Sequence, residues 1–121
     1  MELYNKITDI LYDLELNPNT KGFKHLREAI IMYYENSRIN MTGENGLYST
    51  IAKQYSEEDR KTYHINDGTV ARAIHYSISQ CHDTEKLKKY TGYCGDNKIS
   101  NSRFIAGLCE HLERERKCAQ K

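Results

Sequence analysis

The chain has 121 residues, 38% of them hydrophobic and 29% charged, with one Pro, seven Gly, no Trp and a formal net charge of +1. That size and balance suit one soluble domain able to build a core without metals or disulfides, and they exclude a multidomain protein. The longest apolar run, Ala29-Ile30-Ile31-Met32-Tyr33-Tyr34, falls far short of the roughly 20 residues a membrane helix needs, and a near-zero net charge confines any basic excess to a local patch.

Leu3, Ile7, Ile10, Leu11 and Leu14 recur at three- and four-residue steps, which predicts a first helix over 2–15 buried on one side. The breaker cluster Asn17-Pro18-Asn19-Thr20-Lys21-Gly22 leads into Phe23, Leu26, Ala29, Ile30 and Tyr33, a second helix over about 22–36. Residues 38–46 hold two glycines and two asparagines without a sustained period and read as a loop. Leu47, Tyr48, Ile51, Ala52 and Tyr55 mark a third, short helix over 47–55. It stops before Ser56-Glu57-Glu58-Asp59-Arg60-Lys61, a run that either extends the helix or forms an excursion.

Asp67 or Thr69 is the expected cap of a fourth helix over about 68–81, with Val70, Ala73, Ile74 and Ile78 inward. Asp83 or Thr84 caps a short helix through Leu87 and Tyr90, closed at Thr91-Gly92. Asn101 or Ser102 opens the last helix, with Phe104, Ile105, Leu108 and Leu112 inward. From about residue 117 the polar, basic end is expected to fray into a mobile tail. The result is an all-α single domain over 1–121: six helices, no strand, no internal repeat and no linker.

Charge separates along the chain. Residues 1–20 carry Lys6 against Glu2, Asp9, Asp13 and Glu15, a balance of −3, which leaves +4 for the remainder. The first helix is therefore expected to face away from any polyanion. The N-terminus opens with acid where an export signal carries positive charge, so the chain is expected in the cytoplasm, with Cys81, Cys94, Cys109 and Cys118 as reduced thiols.

Two neighbouring helices carry the chemistry. A helix-turn-helix needs one short helix against the phosphate backbone and a second whose exposed face enters a major groove about 12 Å wide. Residues 47–55 and 68–81 meet that description. Burying Val70, Ala73, Ile74 and Ile78 leaves Thr69, Ala71, Arg72, His75, Tyr76 and Ser79 on or beside the outer face. Arg72 can donate two hydrogen bonds to guanine, and Thr69 can reach a phosphate or a thymine methyl. Lys53, Lys86, Lys88 and Lys89 are candidate phosphate contacts, which set orientation and salt dependence without reading sequence. Polar residues outside an amphipathic helix are equally what a solvated bundle face shows, so spacing alone does not decide.

Five blocks carry a resemblance. Gly22-Phe23-Lys24-His25-Leu26-Arg27-Glu28-Ala29-Ile30, Leu47-Tyr48-Ser49-Thr50-Ile51-Ala52-Lys53, Val70-Ala71-Arg72-Ala73-Ile74, Gly92-Tyr93 and Lys98-Ile99-Ser100-Asn101-Ser102-Arg103-Phe104-Ile105-Ala106 occur in that order. Together, from about Tyr4 to Lys117, the chain resembles the C-terminal DNA-binding effector domain of the master sporulation response regulator of endospore-forming bacteria. The resemblance implies a six-helix fold of the response-regulator effector class, winged-helix-like but without a sheet. It also implies a transcription factor with its fourth helix in the major groove of promoter DNA, subunits paired on repeated sites, and neither enzyme activity nor cofactor. Family members usually carry this domain behind a phosphoacceptor receiver. This chain starts almost at the effector domain, so phosphotransfer to an aspartate of its own is not expected.

Two departures from the family pattern matter. After the valine equivalent to Val70, family members read Glu-Arg-Ala-Ile-Arg-His, whereas this chain reads Ala71-Arg72-Ala73-Ile74-His75-Tyr76. Arg72 matches a base-contacting arginine; the acid, the second arginine and the histidine are replaced, so the preferred site should differ from the family's. The segment Tyr55 to Asp67 is also longer by about two helical turns. Within it Glu57, Glu58 and Asp59 oppose DNA if they project toward it, Arg60, Lys61 and His64 help if they do, and a flexible solvated loop would do neither.

Other functions fit less well. Cys81-His82 and Cys109-x-His111 bring soft ligands near one another, but no Cys-x-x-Cys pair exists and Cys109 sits among core residues, so no metal is expected. No glycine-rich phosphate loop or glycine-framed nucleophile supports an enzyme. The stronger rival is an interaction module that no longer binds DNA and instead pairs with a full-length regulator. Ten tyrosines suit such an interface, although Tyr12, Tyr33 and Tyr55 are expected in or beside the core.

Overall fold

A computed structural model describes residues 2–59, 65–95 and 98–119. It contains six helices and, among the described residues, no strand: α1 (Glu2–Asp13), α2 (Lys21–Glu35), α3 (Leu47–Asp59), α4 (Asp67–Ser79), α5 (Thr84–Thr91) and α6 (Asn101–Ala119). The apolar stripes that define them in sequence converge on one core. Ile7, Leu11, Phe23, Leu26, Ile30, Ile74, Phe104 and Leu108 are each at most 1% exposed there. α2 is the hub, packing against α1, α3, α4 and α6, while α5 rests on α6.

Helix ends are where local chemistry decides. α1 ends at Asp13, short of the expected 15, because Glu15 turns into the left-handed region at φ 63°. Leu16 N–H donates to Leu11 O at 3.1 Å and Glu15 N–H to Tyr12 O at 2.9 Å, the paired bonds of a Schellman motif, normally built around glycine. Thr20 starts α2, its hydroxyl accepting from Phe23 N–H at 3.2 Å. Asp83 caps α5, accepting from Glu85 and Lys86 N–H, and Gly92 closes it at φ 74°. The cap of α6 is Ser100, one residue before the two expected, accepting from Arg103 N–H at 3.2 Å.

Other expectations change as well. Of the two courses open to the run after Tyr55, the structure takes the extension: α3 continues through Ser56 and the acidic run to Asp59. The side chains of Glu57, Glu58 and Asp59, and all of Arg60, Lys61 and His64, lie outside the described residues. α6 runs to Ala119, past the point where a tail is expected. Tyr12 is 53% exposed, its ring tilted against Phe23 at 5.6 Å, whereas Tyr33 and Tyr55 are half-buried. On α4, Ala73 is only half-buried and Ser77 is fully buried in its place, because α2 comes unusually close at that level.

That approach seats α4. A Cβ placed on Gly22 of α2 would lie 2.0 Å from Ala73 O and 3.1 Å from Ser77 Cβ, so only glycine lets the two backbones touch. From the other side, Asn101 at the start of α6 donates its amide Nδ2 to Ala71 O at 2.9 Å. α4 is thus held by close packing on one flank and by a hydrogen bond on the other.

Candidate nucleic-acid interface

α3 and α4 pack on one another as the two members of a helix-turn-helix, and α4 buries Val70, Ile74, Ser77 and Ile78. Asn66, not Asp67 or Thr69, is its cap: Asn66 Oδ1 accepts from Thr69 N–H at 2.8 Å and from the Thr69 hydroxyl at 3.0 Å. Thr69 therefore spends its donor on fixing the start of the helix and is half-buried.

Arg72, His75 and Tyr76 follow on the solvent side, all exposed. The Arg72 guanidinium leans back along the helix, as long helical side chains do, with Nη1 3.3 Å from where a Gly68 Cβ would be. It stands at the positive end of the helix dipole, where a cation gains nothing from its own helix. No hydrogen bond or ring contact engages the side chains of Arg72, His75 or Tyr76 among the described residues. Ser79 is exposed too, but its hydroxyl donates to Tyr76 O at 2.6 Å and so is tied to its own helix.

The same face continues beyond α4. Arg72, His75 and Tyr76 border an open groove of about 810 Å³ whose other walls include Tyr48 at the start of α3, Lys98 just before α6 and Ser102 in its first turn. Lys98 is a basic residue that sequence reasoning assigned no role. Its signal was present: Lys98, Ile99 and Ser100 are exposed, buried and exposed in turn, the alternation of an extended segment lying on a core.

Lys53, Lys86, Lys88 and Lys89 do not share one surface role. Lys53 is exposed on α3 and lines a hollow together with Asn66 and Asp67, beside the start of α4. Lys86 instead forms an ion pair with Asp13 Oδ1 at 3.2 Å and donates to Asp13 O at 3.3 Å, docking α5 onto the end of α1. Tyr90 donates its hydroxyl to Asp13 Oδ2, and with Lys86 this holds the Asp13 carboxyl below its usual pKa. The same hydrogen bond pushes the Tyr90 phenol up to about 12. Lys89 lies over the Tyr90 ring at 5.0 Å and shares a hollow with Lys6, His111 and Arg114. Lys88 is exposed in the last turn of α5.

The two Cys/His pairs differ in setting: Cys109 and His111 lie in or beside the core, whereas His82 is exposed next to a half-buried Cys81. Cys109 is buried, its thiol donating to Ile30 O at 3.4 Å, and burial pushes its pKa up to about 12, away from the thiolate a metal or nucleophile needs. Cys81 is half-buried, and burial raises its thiol too. Among the described residues no group of three His, Cys, Asp or Glu side chains could hold a metal ion. No described helix is long and apolar enough to cross a membrane.

A helix-turn-helix with a free polar face, an all-α frame and a glycine-seated fourth helix agree with a comparison against protein families. The family model described as "Sporulation initiation factor Spo0A C terminal" matches residues 7–112. The chain belongs to this family of sporulation initiation factor C-terminal domains, which are DNA-binding regulators of transcription.

Proposed function

We propose that the chain acts as one domain, in the cytoplasm, that reads a specific promoter sequence with α4 in the major groove, and that it has no catalytic activity. A helix about 10–12 Å across fits a groove about 12 Å wide. The observation that carries this reading is the row Arg72, His75 and Tyr76, exposed and, among the described residues, unengaged on one side of a helix whose other side is built into the core. Arg72 donates to guanine O6 and N7, and His75 and Tyr76 contact the neighbouring base pairs. Thr69 sets the helix start and offers its methyl group, while Ser79, its hydroxyl internally bonded, contributes only shape.

Phosphate contacts come from Lys53 on the α3 side and from Lys98 on the α6 side, with Lys88 beyond them. Lys86 and Lys89 serve the fold. Two copies on repeated half-sites give the arrangement usual for helix-turn-helix proteins.

The test is selection of duplexes from a random DNA pool, followed by titration of the enriched site. A defined motif containing guanine, bound with a logarithmic salt slope of about 0.9 for each phosphate neutralised, supports the reading. No enriched motif and no binding at low salt overturn it, and leave the fold as a module for pairing with a full-length regulator.

A further inference from the structure

Tyr76 is, with Tyr12, one of the two large hydrophobic side chains exposed beyond half among the described residues, at 61%. Its hydroxyl and ring engage no neighbour among those residues. It lies four residues after Arg72, on the same side of α4 and along the same groove. A phenol ring cannot make the paired hydrogen bonds that single out guanine or adenine. What it offers a major groove is an apolar edge, and the apolar group among the major-groove base edges is the C5-methyl of thymine. Ser79, one turn further on, is bonded to the Tyr76 carbonyl and supplies no competing donor.

We infer that Tyr76 is a specificity-determining residue that selects thymine through its 5-methyl group, beside the guanine read by Arg72. This rests on the DNA-reading role proposed above. Four residues advance about 6 Å along a helix, and base pairs rise about 3.4 Å, so the thymine lies one or two steps from that guanine.

The experiment replaces each thymine near the Arg72-dependent guanine of a selected duplex with deoxyuridine, which removes the methyl group and leaves every hydrogen-bonding edge intact. Wild type is expected to lose about fourfold in affinity at one position, the worth of one buried methyl group. Tyr76→Phe should keep that loss, and Tyr76→Ala should bind the thymine and uracil duplexes alike. Equal binding of both duplexes by wild type overturns the methyl contact while leaving sequence reading intact. An undiminished loss in Tyr76→Ala overturns its assignment to Tyr76. Failure of wild type to bind any selected duplex overturns the DNA-reading role and this inference together.

Discussion

Gly22 and Ala73 bring α2 and α4 into backbone contact: a single carbon added at Gly22 would sit 2.0 Å from the Ala73 carbonyl oxygen. The neighbour is main chain and cannot rotate away, so accommodation requires α4 to move. Gly22→Ala is expected to cost about 3 kcal/mol, the upper range for overpacking, measured by urea unfolding. A loss under about 1 kcal/mol would mean that α4 is not seated by this contact.

Glu15 is strained for a different reason. It occupies the left-handed cap of α1 at φ 63°, where a Cβ is unfavourable and glycine is the usual occupant. Glu15→Gly should stabilise the fold by about 0.5–1 kcal/mol even after the greater chain entropy of glycine is subtracted. Thermal unfolding followed by circular dichroism measures it, and a lowered Tm would count against this conformation.

Asn66 links stability to the interface. Its side chain holds both the N–H and the hydroxyl of Thr69, at the turn over which the Arg72 guanidinium lies. Asn66→Ala should lower stability by about 1 kcal/mol and weaken DNA binding, whereas Asn66→Asp, which keeps the acceptor, should restore stability. Paired unfolding and DNA titrations separate the two effects, and an unchanged stability in Asn66→Ala would contradict the cap.

His25 gives the fold a pH dependence. It is buried on α2 with its ring edge-on to Tyr55 of α3 at 5.2 Å. Burial, with a smaller effect from the Lys21 charge, lowers its pKa below the ordinary 6.5. Above that value both folded and unfolded chains hold it neutral. As pH falls below it the unfolded chain takes up the proton first, so stability is lost progressively until the folded-state pKa is passed. Urea unfolding at about pH 7.5 and about pH 5.5 should show a drop for wild type and a smaller one for His25→Leu. Equal drops would place the dependence elsewhere.

The helices were legible because apolar spacing survives any tertiary context: Leu3 to Leu14 or Phe104 to Leu112 has one folded solution. Their ends were not. Asn66, Asp67 and Thr69 can all cap, and only the backbone geometry selects Asn66. Nothing in composition announces that a glutamate will adopt φ 63° at residue 15. Ser77 looks like a surface residue until α2 covers it through Gly22. The exposed row on α4 follows from helical period alone, which is why Arg72, His75 and Tyr76 lie where spacing puts them. Lys86 and Asp13 meet across 73 residues of chain, and no local pattern shows that a lysine is already paired.

Whether α4 reads DNA through Arg72 is decided by a fluorescence-anisotropy titration of wild type and Arg72→Ala against the selected duplex and a variant changed at its guanine, at two salt concentrations. Wild type should discriminate the two duplexes by about 1–3 kcal/mol, Arg72→Ala should lose this discrimination, and both proteins should weaken with salt. Discrimination that survives unchanged in Arg72→Ala would contradict the assignment of α4 as the reading helix.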